Sequence, residues 1–281
     1  MTHSSLTVSH LAIHPVKSLK KMSVEQAVID RMGFVNDRRW MVVEPGGKFI
    51  TQRHYPNMAL IEAIPGSKGL TLSAPGMAEL IITDPEQLTQ KVEMDVEVWK
   101  DELKALDAGE AASQWLSEFL GLPCRMVKFS EQVHRQVDLR FASEGDSTGF
   151  ADGFPFLLTT EASLQELNGR LDSPVTMDRF RPNIVIQGAE AYAEDSWNRI
   201  KIGEVVFQVA KPCSRCVMTT VDPKTGEKTG KDPLMTLSRY RRTEMGVIFG
   251  QNLIHESQGR ICLGDTVEIL EQTKSCPIRK S

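Results

Sequence analysis

Short apolar stretches broken by Gly, Pro and Asn dominate the first third of the chain, and that punctuation limits what it can build. Residues 6–13, 40–43, 48–52, 59–64, 70–73 and 92–98 read as strands, and strands so closely spaced predict a small barrel or sandwich. Within 92–98, Glu93, Asp95 and Glu97 alternate with Met94, Val96 and Val98, which puts three carboxylates on one solvated face. Asp107-x-x-Glu110 marks a helix start. Ala111, Trp115, Leu116, Phe119 and Leu120 give that helix an apolar stripe, and Gly121-Leu-Pro123 ends it.

Beyond Pro123, strands are expected at 125–129, 183–187, 205–210, 247–254 and 265–270, with a helix capped by Thr159 or Thr160 and running to Arg170. The polar, irregular stretch 130–153 is long for a connection inside a compact domain and is expected to be functional or mobile. The fold class is therefore mainly β with α (α+β). A first domain is expected over 1–123 and a second over 124–272, with a tail at 273–281; the second barrel borrows the first strand.

At 281 residues the chain can bury a large core without covalent staples. Its five cysteines are an odd number in no secretory spacing, and Met1-Thr-His-Ser-Ser-Leu-Thr lacks a signal-peptide pattern. A cytoplasmic location follows as the expectation. No apolar run approaches the roughly 20 residues needed to span a bilayer, so no membrane partner is expected. A formal net charge of −4 argues against general nucleic-acid binding. His10, His14, His54, His134 and His255 have no metal-ligand spacing and read as surface or strand residues. Gly226-Glu-Lys-Thr-Gly230-Lys231-Asp232 is one spacer short of a phosphate loop and has Asp where Ser or Thr should bind magnesium. No GxGxxG follows a strand, so no nicotinamide or flavin domain is evident.

Chemistry concentrates in Lys211-Pro-Cys-Ser-Arg-Cys-Val-Met-Thr-Thr-Val-Asp-Pro-Lys-Thr-Gly226. A redox dithiol should open a helix after a strand, whereas Val217 to Val221 are β-prone and lead into a turn. A closed zinc site would need Cys213, Cys216, Cys262 and Cys276, and the last two lack paired spacing. A c-type haem site would need His where Val217 stands. What remains is a soft thiolate ligand with Arg215 beside it to serve an anionic cofactor.

The same run resembles that of MOSC-domain proteins. It is closest to the branch that includes the mitochondrial amidoxime-reducing component and bacterial reductases of N-hydroxylated bases. The likeness recurs in order at Pro15-Val-Lys-Ser18, Asp37-Arg-Arg-Trp40, Phe180-Arg-Pro-Asn-Ile-Val-Ile186, Tyr192-Ala-Glu-Asp-Ser-Trp197 and Phe249-Gly-Gln251, covering nearly the whole chain. The resemblance implies an N-terminal MOSC-associated β domain followed by a MOSC β-barrel with peripheral helices. It also implies a molybdenum cofactor whose pyranopterin dithiolene is joined at the metal by one protein thiolate, which falls on Cys216, with Cys213 secondary.

Lys17, Ser18, Arg38, Arg181, Asn183, Ser214 and Arg215 match positions that hold the cofactor. Asp152 matches more loosely, because Gly153-Phe154 replaces hydroxyl-bearing residues, and Asn252 stands where mammalian members carry Tyr. Pro182 biases Arg181 toward an extended backbone, with Asn183 two residues on and on the same face.

The implied activity is reduction of N-hydroxylated compounds to amines or amidines, using two electrons and two protons, with Asp222 or Asp152 passing a proton. The alternative role within the same resemblance is a non-catalytic cofactor carrier or sulfur-transfer module. No second cysteine cluster or flavin signature is present, so a separate electron-transfer protein, ferredoxin-like or a flavin reductase, is the expected partner. Some bacterial relatives carry a fused ferredoxin-like domain after the MOSC part, whereas this sequence stops at Cys276-Pro-Ile-Arg-Lys-Ser281. Ser238-Arg-Tyr-Arg-Arg242, with Lys228 and Lys231, is the densest basic stretch for docking such a partner.

Overall fold

The computed structural model describes residues 5–273. The strand Trp40–Val43 shows how the parts are joined, because all four of its residues are buried. Alternation sends Trp40 and Val42 into one apolar cluster, with Met58, Leu72, Trp115 and Leu116, and sends Met41 and Val43 into another, with Val96, Phe129 and Phe150. It lies at the edge of a four-stranded antiparallel sheet beside Arg125–Phe129, Asp101–Asp107 and Glu93–Val98. A second meander, Glu62–Gly66, Gly69–Ser73 and Leu80–Thr83, packs nearby with helix α1 (Glu110–Leu120).

The larger sheet begins with Met22–Val24 and Thr7–Ile13 and continues through Ile184–Gln187, Phe156–Thr160, Gly246–His255, Val205–Ser214, Trp197–Ile202 and Val267–Gln272. Its ends meet, since the backbone N–H of Val267 donates to Leu6 and that of Val8 to Asp265, both at 2.9 Å. The core inside it is built from Leu11, Phe156, Ile184, Ile200 and Phe207. One pair is parallel, Phe156–Thr160 with Ile184–Gln187, and the crossover between them carries helix α2 (Glu161–Asn168). The fold is mostly β, α+β, as expected. Strand pairing crosses Pro123 in both directions: residues 7–34 pair with the later part of the chain, and Arg125–Phe129 with the earlier. Among the described residues no helix is long and apolar enough to cross a membrane.

Several local expectations change. Residues 48–52 are not a strand: only single bridges form at Lys48 and Phe49, because the chain turns at once to present Arg53. Residues 59–64 split into a 3-10 turn, Pro56–Leu60, and the strand Glu62–Gly66, with Pro56 starting the turn. Asp107 ends a strand and grips Arg125 at 2.5 and 2.9 Å, so Gly109 precedes α1, and Ala112 rather than Ala111 is buried. His14 is wholly buried, and burial, then Arg181 and Arg38, pull its pKa well below the usual imidazole value. Thr160 caps α2 as expected, accepting from the Ser163 N–H at 3.2 Å.

The motif Tyr192-Ala-Glu-Asp-Ser-Trp197 serves as an internal brace. Glu194 is fully buried and accepts from Ser163 Oγ and Thr160 Oγ1, while Asp195 accepts from Gln251 at 2.7 Å and pairs with Arg241 at 2.6 Å. Arg241 is 1% exposed and lies over the Tyr192 ring at 3.9 Å, so it is no part of a docking surface; Arg239 and Arg242 stay exposed. Burial first, and Asp195 second, push Glu194 up to about 7. A carboxyl raised in the folded state keeps a proton that the unfolded chain has released, so stability falls as pH climbs from the unfolded value to about 7. Glu194→Gln lacks that loss. Relative to the parent it should gain roughly 3 kcal/mol between pH 4.5 and 8, at about 1.4 kcal/mol per pKa unit; superimposable stability–pH slopes in urea melts would show that Glu194 does not titrate there.

Candidate active site

Four backbone positions in left-handed conformation converge on one cavity: Ser18 (φ 66°), Arg38 (φ 49°), Trp99 (φ 60°) and Arg181 (φ 56°). None is glycine, so each costs of order 1–3 kcal/mol that the surroundings must offset, a pattern that clusters at functional sites. The cavity, about 660 Å³, lies between the two sheets. Nine Lys and Arg residues line it against three Asp, a cationic pocket in a chain of net charge −4.

Arg38 organises its base. Its backbone N–H donates to the His14 carbonyl (2.7 Å) and its own carbonyl accepts from Phe150 N–H (2.8 Å). Its guanidinium donates to Asp37 (2.5 Å), to Asn183 Oδ1 (2.9 Å) and to the Arg181 carbonyl (3.3 Å). Gly149 lets the neighbouring loop come this close, since a Cβ there would sit 2.8 Å from the Arg38 carbonyl oxygen. Arg135, buried, holds the same loop by donating to the Gly149 and Ala151 carbonyls, which orders part of the irregular stretch 130–153.

Asn183 lines the cavity, but its amide is engaged on all sides: it accepts from Arg38 and Leu157 N–H and donates to Ala12. Arg181 is not extended, despite preceding Pro182. It caps a 3-10 turn, Met177–Phe180, in left-handed geometry, and its Nη1 donates to the Leu19 carbonyl at 2.7 Å. This tertiary bond overrides the local preference and removes the alternation expected to put Arg181 and Asn183 on one strand face.

Lys17, 4% exposed, donates to the Phe150 carbonyl (2.8 Å) and pairs closely with Asp152. Burial pulls the Lys17 ammonium down to about 8 against the opposing pull of Asp152. Burial would raise the Asp152 carboxyl, yet Lys17, then Arg53, hold it well below the usual carboxylate range, although its side chain is half exposed at the mouth. Asp222 stands outside the cavity lining; it accepts from Arg179 (3.2 Å) and caps the following turn through Lys224 N–H.

The cysteine segment forms the far wall. Strand Val205–Ser214 delivers Cys213 and Ser214, and Cys216 precedes a 3-10 turn, Val217–Thr220, where extended β-prone chain was expected. The turn is tied down by Thr219, whose N–H and hydroxyl both donate to the Cys216 carbonyl. The two thiols are free, and burial pushes the Cys213 thiol up, which keeps it protonated. Arg215 donates to the carbonyls of Phe249 (2.9 Å) and Phe180 (3.1 Å), whose rings stack 4.1 Å apart behind it. Asn252 reaches Lys211 and Pro212 carbonyls at 3.3 and 3.4 Å.

Two contributors carry no sequence signal. Arg53, from the turn that replaces the expected strand 48–52, donates through Nε to Cys216 Sγ at 3.3 Å and through Nη2 to Asp152 at 3.4 Å. Trp99 caps the pocket edge. Cys262 sits on the strand Gly259–Cys262, Cys276 lies outside the described residues, and among those described no three His, Cys, Asp or Glu side chains converge as a metal site.

The buried Nη2 atoms of Arg181 and Arg215 have no partner among the described residues, and both residues line the cavity. Unpaired buried guanidinium donors are costly, and an anion bearing several oxygens would satisfy them. The cavity therefore suits a polyanionic ligand, with the free Cys216 thiol on its wall. Burial pulls Arg181 down to about 9, so in the empty protein its charge is a burden. Arg181→Met should leave the thermal stability of ligand-free protein level with the parent within about 1 kcal/mol, yet weaken retention of an anionic ligand roughly 10- to 100-fold. Melts of stripped protein, with pterin and phosphate assayed per mole of protein as purified, measure both; equal losses in the two would make Arg181 a structural residue.

The MOSC N-terminal beta barrel domain family matches residues 5–123, and the MOSC domain family matches residues 145–268. The chain is 38% identical to mitochondrial amidoxime-reducing component 1 of Mus musculus over 283 residues, spanning 95% of this chain and 83% of the relative. The Homo sapiens protein of the same name is also 38% identical, with the same coverage. Mitochondrial amidoxime reducing component 2 of Homo sapiens is 32% identical across 93% of this chain and 82% of its own.

Proposed function

The chain belongs to the MOSC-domain proteins, in the group that contains the mitochondrial amidoxime-reducing components, and on that premise we propose that it is a molybdenum-cofactor-dependent reductase of N-hydroxylated bases and amidoximes. The relatives' names support an N-reductive role in general. The observation that carries the finer reading is the meeting, in one cationic cavity, of a free Cys216 thiol with two guanidinium groups whose buried Nη2 atoms have no partner among the described residues.

The donor set fits the group. Arg181 and Arg215 would hold its phosphate or pterin edge, Lys17 and Arg38 would offset its charge, and Cys216 would bind the metal as a soft thiolate. When bound, the cofactor supplies the two-electron redox couple and the metal centre that accepts oxygen. The net reaction is R–NHOH + 2 e⁻ + 2 H⁺ → R–NH₂ + H₂O, with electrons delivered by a separate electron-transfer protein.

The chain's own residues account for the rest. Arg53 donates to Cys216 Sγ and so holds the thiolate's direction. Asp152 is held ionised, which suits accepting a hydrogen bond from the substrate's N–OH or protonated nitrogen. Lys17, at about 8, is better matched than Asp152 to giving up a proton near neutrality. Asp222, bonded to Arg179 away from the wall, is poorly placed for that work.

Metal and pterin analysis of freshly purified protein, followed by turnover of an N-hydroxylated base with a chemical reductant, tests the proposal. Bound cofactor without turnover would instead favour a cofactor carrier, and zinc without molybdenum would sink both readings. Cys216→Ser should abolish turnover, because a hydroxyl is protonated at neutral pH and a hard ligand, while Cys213→Ser, already a protonated thiol, should retain a measurable fraction. Identical behaviour of the two variants would overturn the assignment of the ligand.

A further inference from the structure

Of the four strained backbone positions at the cavity, Ser18, Arg38 and Arg181 stand in the motifs that the resemblance ties to the cofactor, and the fourth is Trp99. It starts the two-residue turn between Glu93–Val98 and Asp101–Asp107, where Val98 pairs with Asp101. Glycine is the residue such a positive-φ turn position favours. A bulky aromatic there is an outlier, and it persists only where its side chain has a use.

The indole is fixed from several directions. The Arg53 guanidinium lies 4.6 Å from its ring centroid, Phe49 meets it edge-on at 5.0 Å, and its Nε1 donates to Asp152 Oδ1 at 3.3 Å. Yet Trp99 remains 44% exposed, at the mouth of the cavity that holds Cys216. Leu139, 62% exposed, lines the same mouth. Through Arg53 the ring is one side chain away from the Cys216 sulfur. A rigid aromatic plane with an exposed surface, backed by a cation and next to the reacting position, is a stacking platform.

We infer that Trp99, backed by Arg53, is a specificity-determining shelf that stacks the planar ring of a purine-type N-hydroxylated base and presents its exocyclic N–OH to the centre beside Cys216. The inference rests on the function proposed above and goes beyond it by naming the flat heteroaromatic base, over small aliphatic amidoximes, as the favoured substrate class. Stacking acts on the ring and not on the N–OH, so the shelf shows as a difference between a planar and an aliphatic substrate, whereas any effect passed through Asp152 or Arg53 falls on both alike. Phe at this position keeps a stacking plane and drops only the hydrogen bond to Asp152; Gly removes the plane and relieves the backbone.

The test uses the cofactor-loaded protein with dithionite as reductant and two substrates, 6-N-hydroxylaminopurine and acetamidoxime. For the purine, Trp99→Gly should raise KM roughly tenfold or more, as expected for one lost base–aromatic stack, and Trp99→Phe should stay within about threefold. For acetamidoxime all three proteins should agree in KM. Equal losses for both substrates in Trp99→Gly, or no change for either, would overturn the shelf.

A binding titration separates this from failure of the proposed activity. Trp40, Trp115 and Trp197 are 5, 8 and 3% exposed, so quenching of indole fluorescence by adenine reports on Trp99. Saturable quenching in the parent and its absence in Trp99→Gly supports the shelf even if neither substrate turns over, an outcome that would refute the reductase reading alone. No quenching in the parent would refute the shelf.

Discussion

The guanidinium of Arg38 is the point on which the two halves of the molecule depend. Its hydrogen bonds reach Asp37, Asn183 and Arg181, and its peptide group joins the His14 and Phe150 segments, so stretches more than a hundred residues apart in sequence are fixed around one side chain. Such a node is stable only when every donor is used, since a half-paired buried cation costs more than it returns. Both Nη atoms of Arg38 find partners, whereas Nη2 of Arg181 and of Arg215 finds none among the described residues.

The cavity concentrates like charge in partly buried space, which folding alone would not select. Lys17, Arg38, Arg53, Arg181 and Arg215 share that space; burial first depresses the proton affinity of Lys17 and Arg181, and the neighbouring charge of Arg38 adds to it. Asp37 and Asp152 neutralise part of it. An anionic ligand would compensate the remainder, so the arrangement that is costly for folding favours a negatively charged guest.

Much of the site was legible because its residues sit in ordered motifs: Lys17, Arg38, Arg181, Cys216 and Arg215 do gather at one cavity. What the sequence concealed was contributed by turns whose role appears only when the halves meet. Arg53 and Trp99 belong to unremarkable stretches, one mistaken for strand and the other following an expected strand. The left-handed Arg181 could not be inferred either, since the bond to the Leu19 carbonyl that enforces it comes from 162 residues away. Arg241 misled in the opposite sense: a basic run looked like a surface, but an acidic partner, Asp195, and an aromatic face, Tyr192, had drawn one of its members into the interior. In each case pairings distant in sequence outweighed local preference, as they must in a protein whose sheets are built mainly from non-local strands.

The first strand, Thr7–Ile13, takes its neighbour from Ile184–Gln187, and the sheet closes only when Val267–Gln272 reaches Leu6. A ribosome adding roughly 5–20 residues per second leaves that first strand without its partner for roughly ten seconds or more. The pocket walls contributed by residues 14–18, 149–153 and 213–216 consequently cannot assemble until the chain is nearly finished. Any ligand of this pocket can therefore bind only after synthesis is nearly complete, and the nascent chain carries an unpaired β edge for most of that time.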